Sequence, residues 1–202
     1  MTVVPPALLP LPARTTRPAP RARSRREAAI VAAARGLFEA VGSEGLTMGR
    51  LAGELGIRAP SLYKHVASRA ALEVALVEVA LDEIGCALHA AVAASGADPV
   101  GDLLAAYRAA GRAYPELYRL ATAHRFPRDA LLPGLEQWAG EPFYLVTGEP
   151  YRAQALWSFA HGTLLLELDR RFLPGSDLDR TWRTGAAAFA AAGTAAPGSP
   201  GG

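Results

Sequence analysis

The chain has 202 residues, 50% of them hydrophobic and 20% charged, with a formal net charge of +2. That is enough apolar material for one or two packed cores, while the single Cys86 excludes an intramolecular disulfide framework and suits a reducing compartment. The charge is uneven: residues up to Arg26 hold six arginines and no acid, a formal +6 that leaves the rest of the chain at −4. A basic arm on a mildly acidic body points either to a polyanion near the N-terminus or to a solvated tail.

Residues 1–23 are rich in Pro, Ala and Arg and are expected to form a disordered basic arm. Its order, apolar first and basic second, is the reverse of a secretory signal. Ile30, Val31, Ala34, Leu37, Phe38 and Val41 then recur at helical spacing, which predicts an amphipathic helix over Ser24–Val41, with Gly42–Gly45 as a loop. Thr47 is placed to cap a second helix whose Leu51, Ala52 and Leu55 face inward, and Gly56 to end it in a left-handed conformation. Ile57 returns to the core. The segment "APSLYKHV" predicts a second short helix, with Pro60 in its tolerant first turn. Ser68 caps a long helix reaching about Ala94. Its Glu73, Glu78, Asp82 and Glu83 exclude a membrane span.

Asp98-Pro99 opens the next helix, with Val100, Leu103, Leu104, Tyr107 and Gly111 on one side, and Tyr114-Pro115 marks a break and restart. From His124 to Pro150, four prolines (Pro127, Pro133, Pro142, Pro150) cut the chain into short pieces. Tyr151–Phe172 predicts a long helix, apolar nearly all round and so buried on most sides. The closing helix, Asp177–Ala192, is too short to cover it, so the two are expected to form a four-helix seam with their copies in a two-fold dimer. The expected organisation is therefore all-α. The arm 1–23 precedes a three-helix helix-turn-helix domain over 24–68 and a larger helical ligand-binding and dimerisation domain over 69–192. A flexible tail, 193–202, follows.

A capped short helix, a glycine turn and a second short helix form a helix-turn-helix, a device that seats its second helix in a DNA major groove. Lys64 is the only lysine among 21 basic residues, and it lies on this second helix. Leu62 and Val66, four apart, would hold that helix to the core and leave Arg58, Ser61, Tyr63, Lys64 and His65 on free surfaces. Thr47 and Ser68 would offer hydroxyls at helix N-termini, suited to phosphate. Lys64 could meet a phosphate or a guanine edge; any of these side chains could also be plain solvated surface.

The stretch "AARGLFEAVGSEGLTMGRLAGELGIRAPSLYKHVASRAAL" resembles the DNA-binding domain of the tetracycline-repressor (TetR/AcrR) family. "YPELYRL" and "LWSFAHGTLLLEL", with Trp157, His161 and Gly162, resemble the Trp-His-Gly type of regulatory domain in that family. One departure is Ala70-Ala71, which replaces the usual acidic pair, with Arg69 where the family has lysine. The resemblance implies a homodimeric cytoplasmic regulator of transcription, usually a repressor. Such a protein binds a palindromic operator in double-stranded DNA and is released by a small molecule, with no cofactor, no membrane and no catalysis.

An apolar, aromatic-bearing helical domain suggests a cavity for a largely hydrophobic effector. Tyr107, His124, Trp138, Tyr144, Trp157 and His161 are the candidate lining. His161 follows Trp157 by one helical turn and reads equally as a buried, hydrogen-bonded core histidine. Asp82, Cys86 and His89 share one helix face with metal-binding chemistry, but an Ala-rich helix produces such triplets by chance, and no metal is assigned. Two rival readings are a helical enzyme and a helical adaptor without DNA binding. Against the first, no P-loop, GxGxxG, GxSxG, HExxH or CxxC pattern occurs.

Overall fold

The computed structural model describes residues 15–122 and 127–191. Among the described residues the regular elements are α1 (Arg25–Gly45), α2 (Met48–Glu54), α3 (Ala59–Tyr63), α4 (Arg69–Ala94), α5 (Pro99–Ala113), α6 (Pro115–Thr122), α7 (Leu135–Thr147), α8 (Pro150–Leu168) and α9 (Leu178–Ala191), with a 3₁₀ turn at Arg128–Ala130. The fold is all-α: a helix-turn-helix followed by a larger helical assembly. No helix among the described residues is long and apolar enough to cross a membrane.

Local chemistry starts the helices where the sequence places them. Ser24 and Glu27 form a capping box at α1, each side chain taking the other residue's backbone N–H. The Thr47 hydroxyl accepts from Arg50 N–H, and Ser68 from Ala71 N–H. Gly56 adopts φ +63°, the left-handed turn that joins α2 to α3. The expected loop at Gly42–Gly45 is instead a kinked helical end: Gly42, at φ +68°, breaks α1, which resumes to Gly45. The expected second short helix is shorter than eight residues. It stops at Tyr63, because the Lys64 and His65 N–H groups turn to the Leu62 carbonyl instead of to the carbonyls four residues before them.

Helix α4 is the spine. Leu72, Leu76 and Ala80 complete the first core, around Ile30, Phe38, Leu51 and Leu62, which Leu117 of α6 also enters. Further along, Leu88 joins the second core with Leu103, Leu104, Leu156 and Leu164. The first core therefore extends past residue 68 into α4 and α6.

The proline-rich region holds a helix that its composition hides. Pro142 lies inside α7 and cannot donate to the Trp138 carbonyl four residues earlier. His89 Nε2 of α4 donates to that carbonyl at 2.9 Å. The orphaned acceptor is thus satisfied from a neighbouring helix. Gly85 of α4 leaves the space that the Trp138 ring fills.

Helix α8 ends at Leu168, short of the expected Phe172. Leu156, Ala160 and Leu164 are buried against the second core, yet Tyr151, Trp157 and Leu166 of the same helix are 47%, 46% and 45% exposed. One face of this apolar helix is uncovered in the single chain. Glu167 joins α8 to its neighbours, accepting from Arg108 of α5 and from the Trp182 indole of α9, each at 2.8 Å.

The expected disordered arm also differs in its described part. Thr15 gives its backbone N–H and its hydroxyl to Glu141 of α7, both at 2.9 Å. Arg17 pairs with Asp82 through two hydrogen bonds of 2.7 and 2.8 Å. Arg21 and Arg23 converge on Glu78, at 2.7 and 3.1 Å. The physical reason is the acidic row on α4: Glu78 and Asp82 lie four apart on one helix face, opposite the arginines. Residues 1–14 of the arm and the tail 193–202 lie outside the described residues.

Candidate nucleic-acid interface and internal cavity

The short helix α3 is anchored by two residues and otherwise open. Leu62 is fully buried and Val66 nearly so. Around them Arg58, Ser61, Tyr63, Lys64 and His65 are all exposed, Tyr63 by 50%. Arg58 is the N-cap of α3. Lys64 is its C-cap and keeps helical dihedral angles (φ −68°, ψ −20°), so it continues the helix's surface although the helix has ended. Among the described residues, no side-chain hydrogen bond or ion pair engages Arg58, Ser61, Tyr63 or Lys64. The hydroxyls of Thr47 and Ser68 use a lone pair on their own helices and keep their protons to donate. Arg50, exposed in the first turn of α2, is a further cation that sequence reading overlooked; its place three residues after the Thr47 cap was the available signal.

Arg69 takes another course. It pairs with Glu73 at 2.8 Å and donates to the Ser43 carbonyl at 2.7 Å, closing the α1 end onto α4. Asp82, Cys86 and His89 do not gather: Asp82 holds Arg17, and His89 holds the Trp138 carbonyl. Among the described residues no group of three or more His, Cys, Asp or Glu is arranged as a metal site.

A cavity of about 490 Å³ lies among α4, α5, α6, α7 and α8. Each wall is a helical stripe: Leu81, Ile84 and Leu88 from α4, Ala139, Gly140 and Phe143 from α7, Ala153, Trp157 and His161 from α8. The structure brings three of the six sequence candidates to it: Tyr107, Trp157 and His161. Trp138 is not among the lining. It falls off the 136, 139, 140, 143 stripe of α7 and stacks on His89, with ring centroids 4.9 Å apart. Tyr144 also falls off that stripe and packs, partly buried, against the second core. His124 lies outside the described residues.

Sequence reading missed Tyr118, Thr122, Arg128, Glu136 and Gln154 in the lining. Tyr118, Ala121 and Thr122 at i, i+3 and i+4 were the signal on α6. Tyr118 bonds Tyr107 at 2.7 Å, hydroxyl to hydroxyl, and His161 Nδ1 at 2.6 Å. Burial pushes the Tyr107 phenol up to about 12 and raises Tyr118 as well; burial lowers His161. All three are thus neutral at neutral pH. Arg128 and Glu136 pair with each other, and Arg128 also donates to the Ala121 carbonyl.

Two contacts tie the cavity to the first core. Glu39 of α1 accepts from the Glu116 and Leu117 N–H groups, at 3.2 and 2.8 Å, and so caps α6 from the other side. Arg35 of α1 pairs with Glu83 of α4 at 2.5 Å and lies 3.7 Å over the Tyr114 ring.

Residues 30–76 match the model of a family described as bacterial regulatory proteins, tetR family. No curated protein matches the chain. Several solved structures share the fold. A protein of unknown function from Rhodococcus sp. RHA1 is 21% identical, covering 84% of this chain and 96% of its own, with a TM-score of 0.71. A transcriptional regulator of the TetR/AcrR family from Thermobifida fusca is 18% identical over 82% of this chain and 97% of its own, with a TM-score of 0.63. A TetR variant from Acinetobacter baumannii AYE, in complex with minocycline, is 22% identical over 82% of this chain and 95% of its own, with a TM-score of 0.59.

Proposed function

We propose, for a chain that belongs through residues 30–76 to the tetR family of bacterial regulatory proteins, a ligand-released repressor of transcription acting at a palindromic operator. The family is one of DNA-binding transcriptional regulators. In this reading residues 24–68 bind DNA and residues 69–192 bind effector and dimerise. Thr47, Arg58, Ser61, Tyr63, Lys64, His65 and Ser68 meet the duplex, with Arg58 at a base edge, Lys64 on a phosphate or a guanine edge and the hydroxyls on phosphate. The protein works in the cytoplasm, on the nucleoid, without cofactor or catalysis.

The observation that carries this reading is the open side-chain set of α3: an exposed arginine, aromatic and lysine with no acidic partner, on a helix fixed by Leu62. A merely structural helix has no need of such a set. The cavity supports the second half. Its walls α4 and α6 are the helices that carry the first core, through Leu72, Leu76 and Leu117, and α6 is capped by Glu39 of α1. A molecule that fits the cavity better in one arrangement of α4 and α6 shifts the DNA-binding unit by that difference in affinity. The solved relative in complex with minocycline supports a small-molecule effector here too.

Recovery of bound DNA across the genome tests the reading. One enriched palindrome that purified protein shifts at moderate salt is the expected result; catalytic turnover without DNA affinity would favour the enzyme reading. The open face of α8, with Tyr151, Trp157 and Leu166, supports a homodimer through α8 and α9. Light scattering at micromolar concentration is expected to give twice the chain mass, and a monomer would remove that part of the proposal.

A further inference from the structure

Three side chains from three helices form one hydrogen-bonded series at the cavity. Tyr107 bonds Tyr118, and Tyr118 bonds His161 Nδ1. The Trp157 ring stacks on His161, with centroids 5.6 Å apart and planes at 16°.

The chemistry of the ends fixes the direction of the protons. The Tyr107 hydroxyl has one proton to give, and among the described residues its hydrogen-bond partner is Tyr118. If that proton goes to Tyr118, Tyr118 gives its own to His161 Nδ1, and every group in the series is satisfied. In the opposite direction Nδ1–H would donate to Tyr118, and Tyr118 to Tyr107. Tyr107 would then accept from Tyr118 while its own hydroxyl proton, on a residue only 5% exposed, had no acceptor among the described residues. The series runs toward His161, so Nδ1 accepts and Nε2 carries the hydrogen.

That N–H has no protein partner among the described residues, and His161 lines the cavity. The rest of the lining is mostly hydrocarbon, including Leu81, Ile84, Leu88, Phe143 and Ala153; of its other polar members, Thr122 gives its hydroxyl proton to the Tyr118 carbonyl and Gln154 is exposed. Among the described residues its two charged members, Arg128 and Glu136, are paired with each other, which leaves no free cation there for an ionised ligand. An anion would call for a doubly protonated imidazole, which reverses the series and strands the Tyr107 proton.

We infer that the cavity takes an uncharged, mostly apolar molecule bearing one carbonyl-type oxygen, which accepts the Nε2–H of His161. This inference rests on the reading of the cavity as the effector site. A hydrocarbon of the same shape would displace water from the N–H and give nothing back, and a carboxylate would enter without a counter-charge.

Three probes of matched chain length test it with the full-length protein by titration calorimetry: 2-undecanone, undecane and decanoate. The ketone is expected to bind about tenfold or more tightly than either of the others. His161→Leu should bring ketone and alkane to parity, and Tyr118→Phe, which keeps the ring but frees the imidazole tautomer, should remove part of the ketone's advantage. Equal binding of all three probes, or preference for decanoate, leaves the cavity reading standing and overturns the inference. Binding of none of them overturns the cavity reading and the inference together. Nitrogen-15 NMR of labelled histidine gives a readout independent of binding. The His161 signals, identified as those lost in His161→Leu, are expected to show the Nε2–H tautomer at neutral pH; an Nδ1–H tautomer overturns the inference.

Discussion

Arg17, Arg21 and Arg23 face carboxylates, whereas Arg58 and Lys64 face water. The first three lie in the segment of highest positive charge density, yet each is engaged by Glu78 or Asp82 of α4. The second pair lies in a segment of ordinary composition and has no acidic partner among the described residues. Charge counting along the chain would assign DNA binding to the arm. Pairing in space assigns the described arm to holding α4 against α7 and leaves α3 as the surface with unspent cations. A phosphate or guanine must compete with a carboxylate already in place at the first set, but only with water at the second.

The comparison can be broken at its strongest point by removing the acid. Glu78 is 6% exposed and accepts from Arg21, Arg23 and the Leu132 N–H, the last at 3.0 Å. Glu78→Leu should destabilise the fold by about 3 kcal/mol, because a buried N–H and two guanidinium groups lose their acceptor together. Urea unfolding measures this, and a loss below about 1 kcal/mol would mean that the arm does not depend on Glu78. Next in size is Lys64→Ala. It should weaken operator binding by about 1–3 kcal/mol if Lys64 reads a guanine. The melting temperature should not move, because the side chain touches nothing in the fold; fluorescence anisotropy and a thermal scan separate the two effects. The smallest effect belongs to Arg17→Ala. Arg17 is half exposed in its pair with Asp82, at 48%, so its loss should change stability little. Operator affinity should stay as it was, and a tenfold loss would return the arm to the DNA.

The helix-turn-helix was legible because its signals are local. Thr47, Gly56 and Ser68 act within three residues of their own positions, and Leu62 and Val66 announce the buried edge of α3 by spacing alone. The end of α3 was not legible, since it depends on which N–H groups reach the Leu62 carbonyl. Helix α7 was hidden because Pro142 argues against it locally, while the compensating donor, His89, lies 49 residues before Trp138. The arm was misjudged for the same reason: the partners of Thr15 and Arg17 are 126 and 65 residues away. In the cavity, Trp157 and His161 showed their shared face by one-turn spacing. Tyr118 joins them across helices, and Trp138 looked equivalent to Tyr107 until the stripe on α7 was known.

The salt dependence of operator binding, measured for wild type, Lys64→Ala and Arg17→Ala, tests most directly whether unpaired cations alone meet the DNA. Each phosphate contact removed lowers the slope of log affinity against log salt by about 0.9. If Lys64 sits on a phosphate, Lys64→Ala should fall by that amount; if it sits on a base, the slope holds and affinity drops at every salt concentration. Arg17→Ala should overlay the wild type throughout. A Lys64→Ala curve that matches wild type in both slope and height, or an Arg17→Ala slope reduced by one contact, would contradict the assignment of the two sets.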